Sequence, residues 1–175
     1  IKDPSNKLQK MGLYNPRSFL DSGLALNEAA VQTIASMCNE SSSNEVRYYD
    51  MDFNTISQDY YPLECSLLGM VLFFTGTYPL IHSTLFSDDV FKNAFISKSN
   101  LETYYAFQNN LDLILDAENE LSILAYMLQN TDETKIKTIK KINIKSKKIR
   151  NRIVDLTNAT QNIIIKNCFL HEFKY

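Results

Sequence analysis

"DETKIKTIKKINIKSKKIRNRIVDL", residues 132–156, carries nine Lys and Arg, yet isoleucine keeps returning among them. Ile139, Ile142, Ser146, Ile149, Ile153, Leu156, Thr160, Ile163, Asn167 and Leu170 fall alternately three and four residues apart. That spacing puts them on one face of a helix and leaves most lysines on the others. A disordered basic arm has no reason to hold such a register over several turns. The stretch is expected to be a packed helix over about residues 131–172, with a basic back.

Working outward, "SNLETYYAFQNNLDLILDAENELSILAYMLQN" at 99–130 is the cleanest helical pattern in the chain. Asn100 or Ser99 can cap it. Tyr104, Phe107, Leu111, Ile114, Glu118, Leu121, Ala125 and Leu128 form a seam with one carboxylate set in it. A helix over 100–129 is expected, and Asn130 followed by Glu133 reads as a capping box for the next one. So short a connection makes the two helices antiparallel neighbours.

Further back, the uncharged run from Cys65 to Ser87 follows Pro62, a suitable first helical residue, with Glu64 in the first turn beside the helix dipole. Its unbroken apolar core, Leu67 to Phe74, is too short to span a bilayer, which takes about 20 residues. A buried helix over 62–86, kinked or ended near Pro79, is the better account. Asn15-Pro16 opens a first helix over about 16–39, whose seam is read as Leu20, Leu24, Asn27, Val31, Ile34 and Cys38. Residues 40–61 show no helical period and are expected to form a loop. The fold class is therefore all-α: a single-domain four-helix bundle over 1–175 with long antiparallel C-terminal helices.

Charge is divided unevenly along this frame. Residues 1–134 hold 7 basic and 18 acidic side chains, and residues 135–175 hold 11 and 2. Within the basic helix, Lys140, Lys141, Lys147, Lys148 and Arg150 are candidates for an interaction surface. They either pair with acidic neighbours across the bundle or face an anionic partner. Lys outnumbers Arg 14 to 4, the chain is acidic overall, and no nucleic-acid motif is present, so nucleic acid is disfavoured. A second candidate surface is the tyrosine-acid stretch, with Tyr48, Tyr49, Tyr60 and Tyr61 among Asp50, Asp52 and Asp59. Glu118, Ser146 and Thr160 are candidate polar notches in the core, where a buried carboxyl must find a donor or take a proton.

Chemistry is poorly provided for. His82 and His171 are the two histidines, neither in a metalloprotease pattern, and there is no zinc-type cysteine spacing, phosphate loop or nucleophile elbow. His82, in an apolar run, is expected to be a core histidine, and Cys168 with His171 makes only a thin thiol–imidazole candidate. No catalytic residue, cofactor or metal is expected.

Cys38 and Cys65 would suit a bridge in a secreted protein, whereas three free thiols would suit the cytoplasm. The chain begins without an initiator Met, and its 17 Asn and 16 Ile fit an AT-rich genome such as that of a parasite or virus. The sequence thus leads to a non-enzymatic helical interaction protein, secreted or surface-exposed, engaging a host protein or an anionic membrane. Two alternatives stand beside it. One is a membrane-active bundle that inserts its apolar central helix; the other is an intracellular Bcl-2-like adaptor binding a partner helix.

Overall fold

The computed structural model describes residues 11–14 and 22–169. Asn15-Pro16, Leu20, Leu170 and His171 lie outside them. The fold is mostly helical, with one small sheet: α1 (Leu24–Cys38), β1 (Asn44–Tyr48), β2 (Met51–Thr55), α2 (Pro62–Thr75), α3 (Tyr78–Phe86), α4 (Val90–Lys98), α5 (Leu101–Gln129) and α6 (Ile136–Ile164). A single π-helical turn, Ile165–Phe169, follows α6.

α5 and α6 pack along each other and carry most of the seams the spacing foretold, but Ala125 and Leu128, read into the α5 seam, are exposed and Leu124 is buried instead. Tyr104, Phe107, Leu111, Ile114 and Leu121 are buried on α5, and Ile142, Ile149, Ile153 and Thr160 on α6. Asn100 caps α5 by accepting a hydrogen bond from the Thr103 N–H at 2.8 Å. The connection departs from the expected capping box. The side chain of Asn130 instead donates back to the Tyr126 carbonyl, and Asp132 accepts from the Thr134 N–H and hydroxyl, so α6 starts only at Ile136.

The middle of the chain adds elements to those expected. The helix expected over 62–86 is broken close to Pro79, as its sequence suggested, into α2 and α3, bent by 114° at Gly76-Thr77. Gly76 closes α2 at φ 72°, and Pro79 in the first turn of α3 cannot continue a helix from before it. Among the described residues no single helix is long and apolar enough to cross a membrane. Residues 87–99 hold a further short helix, α4, which buries Phe91 and Phe95; the Phe95 ring lies 5.3 Å from that of Phe107. Finally, the segment read as a loop contains the β1–β2 hairpin.

The first helix is shorter than expected where described, and its buried face differs. Leu24, Val31 and Cys38 are exposed, while Ala25, Leu26, Ala29, Ala30, Thr33 and Ser36 are buried. Small side chains let α1 lie close against α2 and α5. Asn27 does sit inside, where its Oδ1 accepts from the Leu13 N–H at 3.0 Å. Asp112 of α5 accepts from the N–H groups of Gly23 and Ala25, which serves the first turn of α1.

Candidate functional site

The hairpin is built by alternation. Val46, Tyr48, Met51 and Phe53 turn partly inward, and Glu45, Arg47, Asp52 and Asn54 face solvent. Val46 stands opposite Phe53 and Tyr48 opposite Met51, so the two-residue turn is Tyr49-Asp50. Both turn residues have positive φ, 50° and 63°. Such a turn favours Asn-Gly; Asp50 tolerates the left-handed region, whereas Tyr49 rarely adopts it. The turn is held by what it packs against. The Tyr48 and Tyr49 rings lie 4.1 Å apart, their hydroxyls are hydrogen-bonded at 3.2 Å, and both rings rest on the core.

Beneath them two carboxyls from different helices meet. Glu64, read from the sequence as a dipole partner in the first turn of α2, is in that turn but has 0% of its surface exposed. Apart from the Glu118 carboxyl of α5 itself, no side-chain donor among the described residues reaches either of its oxygens, and Glu118 Oε1 is likewise buried. Burial drives both groups well above the usual carboxylate range. For Glu118 the nearby Glu64 charge adds to the rise, while the Tyr48 hydroxyl opposes it. The pair titrates as a unit, and at neutral pH it holds proton rather than full double charge. Burial likewise raises both Tyr48 and Tyr49, with Glu118 adding to each; for Tyr49 the Arg150 charge pulls the other way.

Arg150 belongs to the third side of this region. Tyr49 and Asp50 face Asn143, Ser146, Lys147 and Arg150 of α6 across a cleft of about 510 Å³. Two separate expectations thus converge: the tyrosine stretch and the basic helix share one site. Ser146 lines this cleft, so it is no notch in the core beside Glu118. Thr160 is a core group, but it accepts from Asn110 Nδ2 at 3.0 Å and donates to the Leu156 carbonyl at 2.7 Å; it is not a partner of Glu118 either. The partner of Glu118 is Glu64, which nothing in a local pattern could have marked.

Tyr60 does not join the other pair. Tyr60 is exposed beside Gln32 and Ser36 of α1, and Tyr61 sits at the start of α2 under the influence of Glu28. Tyr60 therefore stands apart, while Tyr61 packs on the core and feels the same Glu64 and Glu118 as Tyr48 and Tyr49.

The remaining lysines settle what the basic helix faces within the chain. All nine Lys and Arg of residues 135–152 are exposed, and no acidic residue interrupts them. Lys145 and Arg152 reach Glu120 of α5 at 3.6 and 4.0 Å. Lys140, Lys141, Lys147, Lys148 and Arg150 have no carboxylate within ion-pair distance among the described residues.

His82 is not a core histidine. It is partly exposed, lies in tilted ring contact with Tyr78 and Phe86, and places Nδ1 2.7 Å from Asp88 Oδ2. The three cysteines are free: Cys38 is exposed, while Cys65 is buried and its thiol donates to the Ala29 carbonyl at 3.7 Å. Burial pushes the thiols of Cys65 and Cys168 up to about 11, which suits inert core groups. Among the described residues no group of three or more His, Cys, Asp or Glu could hold a metal ion. The chain matches no known family model, no curated protein and no solved structure.

Proposed function

We propose that the chain is a non-enzymatic helical interaction protein that meets an anionic membrane surface through the outer face of α6 and the adjoining end of α5. The observation that carries this reading is the uninterrupted run of exposed cations at 135–152, most of them without an internal partner. Beside them Tyr126, Met127, Ile136 and Ile144 are exposed. Cations alternating with exposed apolar side chains suit the headgroup boundary of a bilayer better than the surface of an acidic protein. A secreted or cell-surface setting, where the surface would meet a host membrane, belongs to the same proposal. The architecture behind it is read as a four-helix bundle: α1 touches α2, α2 touches α6, α6 lies along α5 and α5 returns to α1, with α3 and α4 packed against them.

The test is co-sedimentation with anionic and neutral vesicles at low and high salt. Wild type should sediment with anionic vesicles at low salt and be released at high salt. The Lys140→Glu, Lys141→Glu, Lys147→Glu, Lys148→Glu variant should stay in solution with its circular dichroism unchanged. Absence of wild-type binding at any salt would overturn the membrane reading and leave an acidic protein as the occupant of this face.

A second reading has its own observation. The uncharged Cys65–Ser87 segment carries the bend between α2 and α3, and around it Phe73, Tyr78, Leu85 and Phe86 are 81%, 69%, 69% and 62% exposed. Insertion of this corner into lipid should protect the segment from protease only when vesicles are present. Unchanged cleavage with lipid would eliminate it.

A further inference from the structure

Six residues of α6 line the hairpin cleft, and four of them, Asn143, Ser146, Lys147 and Arg150, are spaced i, i+3, i+4 and i+7, with Asn151 and Val154 following. This spacing is one helix face, so the side chains converge on the same space. Two of the six are cations with no carboxylate partner among the described residues, three are neutral hydrogen-bonding groups, and Val154 is apolar. The acid at the rim, Asp50, is exposed, and its Oδ1 lies 3.9 Å from the Arg47 guanidinium. The opposite wall is the Tyr49 ring, fixed in place by Tyr48.

We propose that this cleft is a binding site for a phosphate monoester group, a reading that rests on α6 being the contact face and names the ligand chemistry of that face. A phosphomonoester brings about −1.5 to −2 charge at neutral pH and three acceptor oxygens. The Arg150 guanidinium offers a planar fork for two of them, Lys147 a mobile ammonium, and Ser146 and Asn143 a hydroxyl and an amide. A carboxylate would occupy the fork and leave the neutral donors idle. The cleft, at about 510 Å³, has room beyond a bare phosphate for the ring that bears it, with Tyr49 as the surface against which that ring lies. The buried Glu64–Glu118 pair supports the arrangement, since two carboxyls that retain proton do not set a full negative field beneath the tyrosines.

The phosphate can be carried by a lipid headgroup or by a soluble ester, and the test separates them. Titration calorimetry with inositol trisphosphate, with inositol as control, would be run on three proteins. These are wild type, Lys147→Gln with Arg150→Gln, and Lys140→Gln with Lys141→Gln, which removes the same charge outside the cleft. The expected result is binding by wild type and a loss of roughly tenfold or more in the cleft variant. The control variant should lose no more than about threefold, the smaller share left to the general field. Equal losses in both variants, or no binding of the trisphosphate by wild type, would overturn the proposal.

Vesicles complete the test. A preference for phosphatidylinositol phosphate over phosphatidylserine at equal surface charge assigns the group to lipid; binding of the soluble ester with no such preference assigns it to a soluble ligand. If phosphatidylserine vesicles are bound but the trisphosphate is not, the cleft proposal falls and the membrane reading stands. The reverse outcome sinks the membrane reading and keeps the cleft.

Discussion

The outer face of α6 and the floor beneath the hairpin both concentrate charge of one sign, and the chain treats them in opposite ways. On α6 the nine cations of residues 135–152 stand in water, where like charges are screened and cost little. Under Tyr48 and Tyr49 two glutamates are taken out of water together, where a second negative charge is expensive and a proton is kept instead. The difference teaches which charges belong to the fold. Those that can be removed without leaving an orphan are free to serve a partner, and those that cannot are bound up with stability.

The largest effect expected from breaking this division lies on the inner side of α6. Ile153 is fully buried, so Ile153→Ala should lower stability by about 2–5 kcal/mol, read by urea unfolding. A similar cost from a change on the outer face would erase the distinction between the two sides.

The glutamate pair should show itself as a pH dependence. Both carboxyls bind protons more tightly in the folded state than in the unfolded one, so the folded state holds more protons across the window between their values. Raising the pH from the ordinary glutamate value of 4.5 through about 8 should therefore cost stability, by an amount on the order of a few kcal/mol. Glu64→Gln with Glu118→Gln should flatten this slope. A slope that persists in the double variant would assign it to other groups.

Asp112 sharpens the comparison, because it is a partly buried carboxylate that does have donors. It accepts from Gly23 and Ala25 at the start of α1, and Asp112→Ala should cost about 1–2 kcal/mol by thermal unfolding. Native hydrogen exchange should show the loss first in the opening turn of α1. The smallest effect is reserved for the outer face: Lys140→Gln or Lys141→Gln alone should change stability by no more than about 0.5 kcal/mol.

How much of this was legible in the sequence depended on how far each signal travels along the chain. α5 and α6 were readable because large apolar residues repeat at helical spacing over many turns, and Asn100 marks where α5 begins. α1 was misread on its buried face because Ala25, Ala29 and Ala30 are weakly apolar by composition yet fit a close helix contact, while Leu24 and Val31 drew attention outward. The hairpin was missed because its turn is Tyr49-Asp50, without glycine or asparagine to announce it. The alternation of Val46, Tyr48, Met51 and Phe53 was the signal available. Most of the site escaped for a different reason. Glu64 meets Glu118, and Tyr49 meets Arg150, across stretches of chain that no local pattern connects, so the residues could be nominated singly but not assembled.

The central claim is that the basic face of α6 is spare to the fold. It is tested most directly by thermal unfolding, at low ionic strength, of the protein with Lys140, Lys141, Lys147 and Lys148 all changed to Gln. The melting temperature should stay within a few degrees of wild type, in either direction. A cooperative transition displaced downward by about 10 °C or more would mean that these lysines hold the molecule together, and would contradict it.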